Sequence, residues 1–277
     1  MSVKIEINKQ FGEALSVMEE GKRNLFITGK AGTGKSTLLN YFRDKTKKQV
    51  VVLAPTGVAA VNIKGQTIHS FFGFRPDVTI EKARRAAKKV VNSDSADVYR
   101  KMQTLIVDEI SMVRADLFDC IDEFLRVVRG KKLEPFGGVQ VVMIGDLYQL
   151  PPVVTSRDRE IFSHHYTSPY FFDSKVFPKM GVTLLELEKI YRQSDNKFVE
   201  LLNAVRNNTI DDDGIEFFNR TCVGRNFSDG ENCIHLTSLN RDADEINNER
   251  LLKLSGKSYE FEADISGSFN EKSYPAD

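Results

Sequence analysis

Gly29-Lys30-Ala31-Gly32-Thr33-Gly34-Lys35-Ser36 sets Gly29, Gly34, Lys35 and Ser36 at the spacing GxxxxGKS, with a further glycine, Gly32, inside it. Glycines at these positions let a backbone curl until its N–H groups converge on phosphate oxygens. The helix expected to start at the end of this loop adds positive partial charge from its N-terminus. Lys35 is then the cation for the β- and γ-phosphates, Ser36 the hydroxyl ligand of Mg²⁺, and Thr37 a donor to the α-phosphate. A second group is Leu105-Ile106-Val107-Asp108-Glu109, an apolar run that ends in two carboxylates. Asp108 suits Mg²⁺, partly through its water shell, and Glu109 suits the orientation or deprotonation of an attacking water. A third apolar run leads into Gly145-Asp146-Leu147-Tyr148-Gln149-Leu150-Pro151-Pro152. The Gln149 amide can hydrogen-bond both a phosphate oxygen and water, as a sensor of the γ-phosphate must. As bare residues the same stretch also reads as a polar turn stiffened by two prolines.

These groups need a scaffold that delivers strand ends to one crevice. Residues 24–28, 50–54, 104–108 and 139–144 are short runs dense in β-branched and large apolar residues. Continuous apolar runs suit strands covered on both faces. Helical patterns lie between them; over 114–129, Leu117, Phe118, Ile121, Leu125 and Val128 recur on one face. Strand and helix in alternation predict an α/β fold with a parallel, doubly wound sheet, and the phosphate loop makes it a P-loop NTPase. A new set opens near residue 183, with strands expected at 183–187 and 234–237 and helices at Asn196–Asn207 and Arg241–Leu254. It reads as the start of a second α/β domain.

Composition sets outer bounds. The chain has 277 residues, enough for two moderate domains, and 41% of them are hydrophobic. No apolar run approaches the length that spans a bilayer, and the N-terminal residues lack the apolar stretch of a secretory signal, so a cytoplasmic chain with no membrane partner is expected. Cys120, Cys222 and Cys233 are sparse and odd in number, which suits reduced thiols better than a disulfide framework. Lys+Arg and Asp+Glu both count 39, so net charge neither supports nor excludes a nucleic-acid partner. Lys82, Arg84, Arg85, Lys88 and Lys89 crowd one Ala-rich stretch that reads either as a solvated helix face or as a contact to DNA phosphates.

Six motifs stand in order: GKAGTGKS (29–36), APTGVAA (54–60), TIHSFFGF (67–74), VDEISMV (107–113), GDLYQLPPV (145–153) and LEKIYRQ (187–193). Together they resemble the Pif-type DNA helicases of superfamily I, relatives of RecD and the phage Dda helicase. SMVRADLFDCIDEFLRVVR (111–129) is similar to the helix particular to the Pif branch. The resemblance implies two RecA-like domains that clamp ATP and move 5′-to-3′ along single-stranded DNA as a monomer. The settings it suggests are repair, recombination or telomere maintenance, on the nucleoid if the source is bacterial. It also implies roles that spacing cannot give. Gln10 resembles an adenine-reading glutamine and Arg192 an arginine finger. Thr56, Gly57, His69 and Ser70 look like first-domain contacts to the DNA backbone, and Asn240 like one from the second domain. Residues 75–100 sit where the family inserts a small wedge.

The domains implied are 1–182, a first RecA-like domain with the insertion; 183–263, a partial second one; and 264–277, the start of an SH3-like subdomain. Two later helicase motifs of the family find no match before Asp277. The chain therefore reads as an amino-terminal portion from which efficient unwinding is not expected. Two other readings stay open: another P-loop ATPase such as an AAA+ loader, and a module that binds nucleotide and DNA without turnover. DNA-stimulated phosphate release separates the motor from the binding module.

Overall fold

The computed structural model describes residues 7–155, 162–191, 196–222, 234–257 and 259. It divides into two compact units, Met1–Ile210 and Asp211–Asp277. The first is built on a six-stranded sheet: β1 (Asn24–Gly29), β2 (Val50–Ala54), β3 (Gln66–Thr67), β4 (Thr104–Val107), β5 (Gln140–Ile144) and β6 (Val182–Leu187). The spatial order is β3-β2-β4-β5-β1-β6, and every pairing is parallel. Parallel neighbours require crossovers, which here are made largely by the helices α2 (Lys35–Lys45), α3 (Gly57–Asn62), α4 (Ile68–Phe72), α5 (Ile80–Val90), α6 (Ala96–Lys101) and α7 (Ala115–Val128), while α1 (Lys9–Glu20) precedes β1 and α8 (Asn196–Arg206) follows β6.

The continuous apolar runs are explained by burial on both faces. Leu25, Ile27, Val52, Ile106, Val142 and Ile144 pack on one side with residues of α1 and α2. Phe26, Leu53, Leu105, Val107, Val141 and Met143 pack on the other with residues of α5 and α7. Each strand alternates between the two cores with the period of two that a pleated strand imposes. Gln140, a buried polar residue in this apolar setting, is fully partnered. Its amide nitrogen donates to Val17 O at 2.9 Å and Arg23 O at 2.8 Å, and its oxygen accepts from Thr104 Oγ1 at 3.0 Å.

Two expectations change. Residues 183–187 do not open a second domain. They form most of β6, which pairs with β1 from Asn24↔Val182 to Gly29↔Leu187. Leu185 and Leu187 are buried against the α1 side, while Leu184 is 64% exposed. That half-buried alternation belongs to an edge strand added to an existing sheet. The boundary expected at 182/183 thus falls inside the first compact unit, which runs to Ile210. Residues 234–237 are not a strand either. Ile234 and Leu236 are 89% and 94% exposed, with no strand partner among the described residues, and an unpaired strand has nothing to hold it. In the second unit the described helices are Asp212–Cys222 and Asn240–Leu252. Residues 264–277 lie outside the described residues.

The 75–100 insertion consists of α5, α6 and their connections. Ala83 and Ala87 are fully buried, and such small side chains let α5 lie close against α7. Phe72, Phe74, Tyr99 and Phe124 stack and cross at centroid separations of 5.0–5.9 Å beneath it. Cys120 is buried in α7, where desolvation first and the charges of Asp116 and Asp119 next push its thiol up to about 12.

The site depends on a close approach at the end of β5. A Cβ on Gly145 would stand 2.9 Å from Ile110 Cγ2 and 3.0 Å from Ile110 N, both in a buried turn. Gly145→Ala is therefore expected to cost about 1–3 kcal/mol of stability by overpacking. Gly57→Ala, where a Cβ meets nothing within 4 Å, is expected to stay within about 0.5 kcal/mol of the parent. Denaturant midpoints compare the two; equal midpoints would show that the turn yields freely.

Candidate nucleotide site

The phosphate loop joins β1 to α2 at the C-terminal edge of the sheet, where ligands of open α/β folds bind. Gly29 has φ +149°, and a Cβ there would meet Leu187 O at 2.5 Å and Thr33 Oγ1 at 2.8 Å. Only glycine fits between the loop and the end of β6. Thr33 is buried and its hydroxyl donates to Lys30 O at 2.9 Å, which stiffens the bend. Lys35 Nζ donates to Gly29 O at 2.6 Å and to Lys30 O at 3.1 Å, so its ammonium lies over the loop. Partial burial holds Lys35 below the usual lysine range, against the opposing pull of Asp146, Glu109 and Asp108. Ser36 and Thr37 follow on the exposed first turn of α2.

Asp108 and Glu109 leave the end of β4 together. Asp108 is 7% exposed, its backbone N–H held by Leu53 O at 2.9 Å. Desolvation, with a smaller push from Glu109, raises its carboxyl to about 6. Glu109 has φ +50° and ψ +43°, a left-handed conformation that a non-glycine residue seldom adopts, and it begins the short turn Ile110–Met112. Such strain persists where surrounding structure imposes it, and it commonly marks functional sites. Ser36, Asp108, Glu109 and Gln149 all line one cleft of about 290 Å³. The sequence therefore named the residues of a single place.

Among the described residues no cluster of three or more His, Cys, Asp or Glu side chains can hold a metal ion. Mg²⁺ takes one or two protein ligands and completes its octahedron with water and substrate phosphates. The Ser36 hydroxyl and the Asp108 carboxylate, hard oxygen donors on one cleft, fit that role.

The rim is drawn together by the segment after β6. Glu188 N donates to Gln10 Oε1 at 3.2 Å, Tyr191 N donates to Gly32 O at 2.9 Å, and Asn8 Nδ2 donates to Tyr191 Oη at 3.1 Å. Gln10 is thus tied to the segment that follows β6. Arg192 lies outside the described residues.

The residues expected at DNA fall in two groups. Thr56 and Gly57 begin α3, while His69 and Ser70 belong to α4. The register Ala54↔Thr67 sets these two helix starts side by side on the same sheet edge as the nucleotide cleft. Thr56 lines that cleft, and its hydroxyl accepts from Ala59 N at 3.3 Å. Burial holds the His69 imidazole below its usual range. Asn240 is exposed at the start of a helix in the other compact unit.

Two site residues escaped the sequence reading. Asp146 is 2% exposed and accepts from Tyr148 N at 3.1 Å, Gln149 Nε2 at 3.2 Å and Arg206 Nη1 at 2.7 Å. The dipeptide Gly145-Asp146 next to Gln149 could have flagged it. Arg206, in the last turn of α8, carried no signal that separates it from other helix-end arginines.

Comparison with known proteins agrees with this architecture. Residues 5–215 match the family model described as PIF1-like helicase. The chain is 33% identical over 264 residues to an ATP-dependent DNA helicase PIF1 of Emericella nidulans, covering 92% of this chain and 34% of that protein. It is 36% identical over 273 residues to the Saccharomyces cerevisiae protein of that name, covering 94% and 30%. It thus spans about a third of the length of these curated relatives. Among solved structures, a Pif1 helicase from Bacteroides in complex with ADP-AlF3 and single-stranded DNA superposes with a TM-score of 0.85 at 35% identity, covering 99% of this chain and 63% of that one. A Pif1 helicase from Candida albicans gives 0.76 at 34% identity, covering 91% and 56%. On the family match and these identities, the chain belongs to the PIF1-like helicase family.

Proposed function

We propose that this chain is the ATP-hydrolysing core of a 5′-to-3′ DNA motor that grips single-stranded DNA. The observation that carries the reading is the convergence of Ser36, Asp108, Glu109 and Gln149 on one cleft beside the phosphate loop. Lys35 neutralises phosphate charge, Glu109 takes or steers the proton of the attacking water, and Gln149 reports the γ-phosphate. Ser36 and Asp108 would hold Mg²⁺, which would supply further charge neutralisation at the phosphates. Gln10 reads the base, and Arg192 completes the charge around the transferring phosphoryl group. The unit from Asp211 is the opening of a second RecA-like domain, and a monomer is the working form. Bacteroides relatives solved with single-stranded DNA, and with ADP-AlF3, support a nucleotide-driven grip on DNA. The test is phosphate release with and without single-stranded DNA. Stimulation supports the motor; tight nucleotide binding with no release in either condition favours a binding module.

Thr56, Gly57, His69, Ser70 and Asn240 are the proposed backbone contacts, with the basic face of α5 as a further one. Arg84 Nε pairs with Glu123 Oε1 at 2.6 Å and Lys82 with Asp77, while Arg85, Lys88 and Lys89 are exposed. Lys88→Glu/Lys89→Glu is expected to weaken single-stranded DNA binding and to flatten its salt dependence. Each lost phosphate contact should lower the log–log slope by about 0.7. Titrations at several salt concentrations read this, and an unchanged slope would remove α5 from the DNA path.

A further inference from the structure

Asp146 and Arg206 form an ion pair that ties the end of α8 to the turn after β5, beside the phosphate loop. Arg206 comes from the end of α8, and its guanidinium lies 4.4 Å from the centre of the Tyr148 ring. It shares a cavity with Lys30 and Ala31 of the phosphate loop and with Gln149. Asp146 and Arg206 act with opposite sign on the Lys35 ammonium, which places the pair on the phosphate side of the site. Both side chains are largely buried, at 3% and 15% exposure.

We propose that Arg206 is a positioning residue for hydrolysis: through Asp146 it fixes which end of the Gln149 amide faces the nucleotide. The chemistry is directional. A carboxylate only accepts hydrogen bonds, so Gln149 must turn its NH₂ towards Asp146 Oδ2, as found at 3.2 Å. The amide oxygen is left to accept from water, the polarity wanted beside a base such as Glu109. The same oxygen takes the charge-assisted bond from Arg206 at 2.7 Å. Without Arg206, Asp146 would lose the charge-assisted bond that fixes its Oδ2, and with it the hold on the Gln149 amide.

This inference rests on the hydrolytic reading of the cleft. The test compares the full chain with Arg206→Ala, Arg206→Lys, Asp146→Asn and Arg206→Ala/Asp146→Asn. DNA-stimulated ATP turnover is measured with affinity for ADP and for ADP–aluminium fluoride, both in Mg²⁺. Arg206→Ala is expected to lower kcat on the order of 10²-fold, the scale of a misplaced reacting group, with ADP affinity within about twofold. Its preference for ADP–aluminium fluoride over ADP should fall by a similar factor. Arg206→Lys should recover part of both, and the double variant should be no worse than Asp146→Asn. Parental kcat and fluoride preference in Arg206→Ala would overturn the proposal. So would a joint fall of kcat, ADP affinity and thermal midpoint, which marks a merely structural pair. A parent that binds nucleotide without turnover would sink the hydrolytic reading instead, and the fluoride preference then decides the positioning role by itself.

Discussion

Lys35→Ala is expected to lower ATP turnover by about 10²–10³-fold, the loss seen when one preorganised donor to developing charge is removed. Lys35 is only half-buried, and its recorded hydrogen bonds go to Gly29 O and Lys30 O of the phosphate loop, so the core loses no packing. What the site loses is a cation set among Asp146, Glu109 and Asp108. Without it, triphosphate would meet three carboxylates with one cation fewer opposing them. Nucleotide affinity should therefore fall with turnover, and more for ATP than for ADP, because the γ-phosphate adds charge. The thermal midpoint should move little. Phosphate release, fluorescent-nucleotide titration and a melting curve on one preparation check all three. Parental turnover would take the phosphate role away from Lys35, while a collapsed midpoint would make it a structural residue.

The nucleotide site was legible because its residues are close in sequence or sit at strand ends that composition marks. Gly29–Ser36 is one loop, and the runs before Asp108 and Asp146 are apolar enough to read as strands covered on both faces. Parallel order then brings their C-terminal ends together without further information. β3 was missed because two residues, Gln66 and Thr67, carry no periodicity. β6 was recognised as a strand but given to the wrong unit. A strand far along the sequence from its predecessor, β5, reads as a new start, and only the pairing Leu25↔Thr183 to Gly29↔Leu187 reveals an edge addition. Arg206 was invisible for a deeper reason. Its role depends on where the end of α8 lies against Asp146, 60 residues earlier, and no local pattern records that approach. Glu109 lies between these cases: its carboxylate is plain in the sequence, its left-handed backbone is not.

Glu109→Gln is expected to lower turnover by about 10²–10⁴-fold, the usual range for lost acid–base help, while leaving nucleotide affinity near that of the parent. The substitution keeps side-chain length and one acceptor oxygen, so the φ of +50° is held by the same turn through Ile110–Met112. It removes the capacity to take a proton. It also removes a negative charge that pushes the Asp108 carboxyl upward, one cause, after desolvation, of its rise to about 6. Asp108 should then ionise more readily, so the Mg²⁺ dependence of nucleotide binding should be unchanged or slightly strengthened. That sign separates a base from a metal ligand. If Glu109 held the cation, its amide would weaken Mg²⁺-dependent binding together with turnover. Titration of a fluorescent nucleotide at several Mg²⁺ concentrations, beside single-turnover phosphate release, distinguishes the two. Weaker binding at low Mg²⁺ that recovers at high Mg²⁺ would transfer Glu109 from proton chemistry to the metal. Parental turnover would leave the attacking water to Gln149 and the backbone around it.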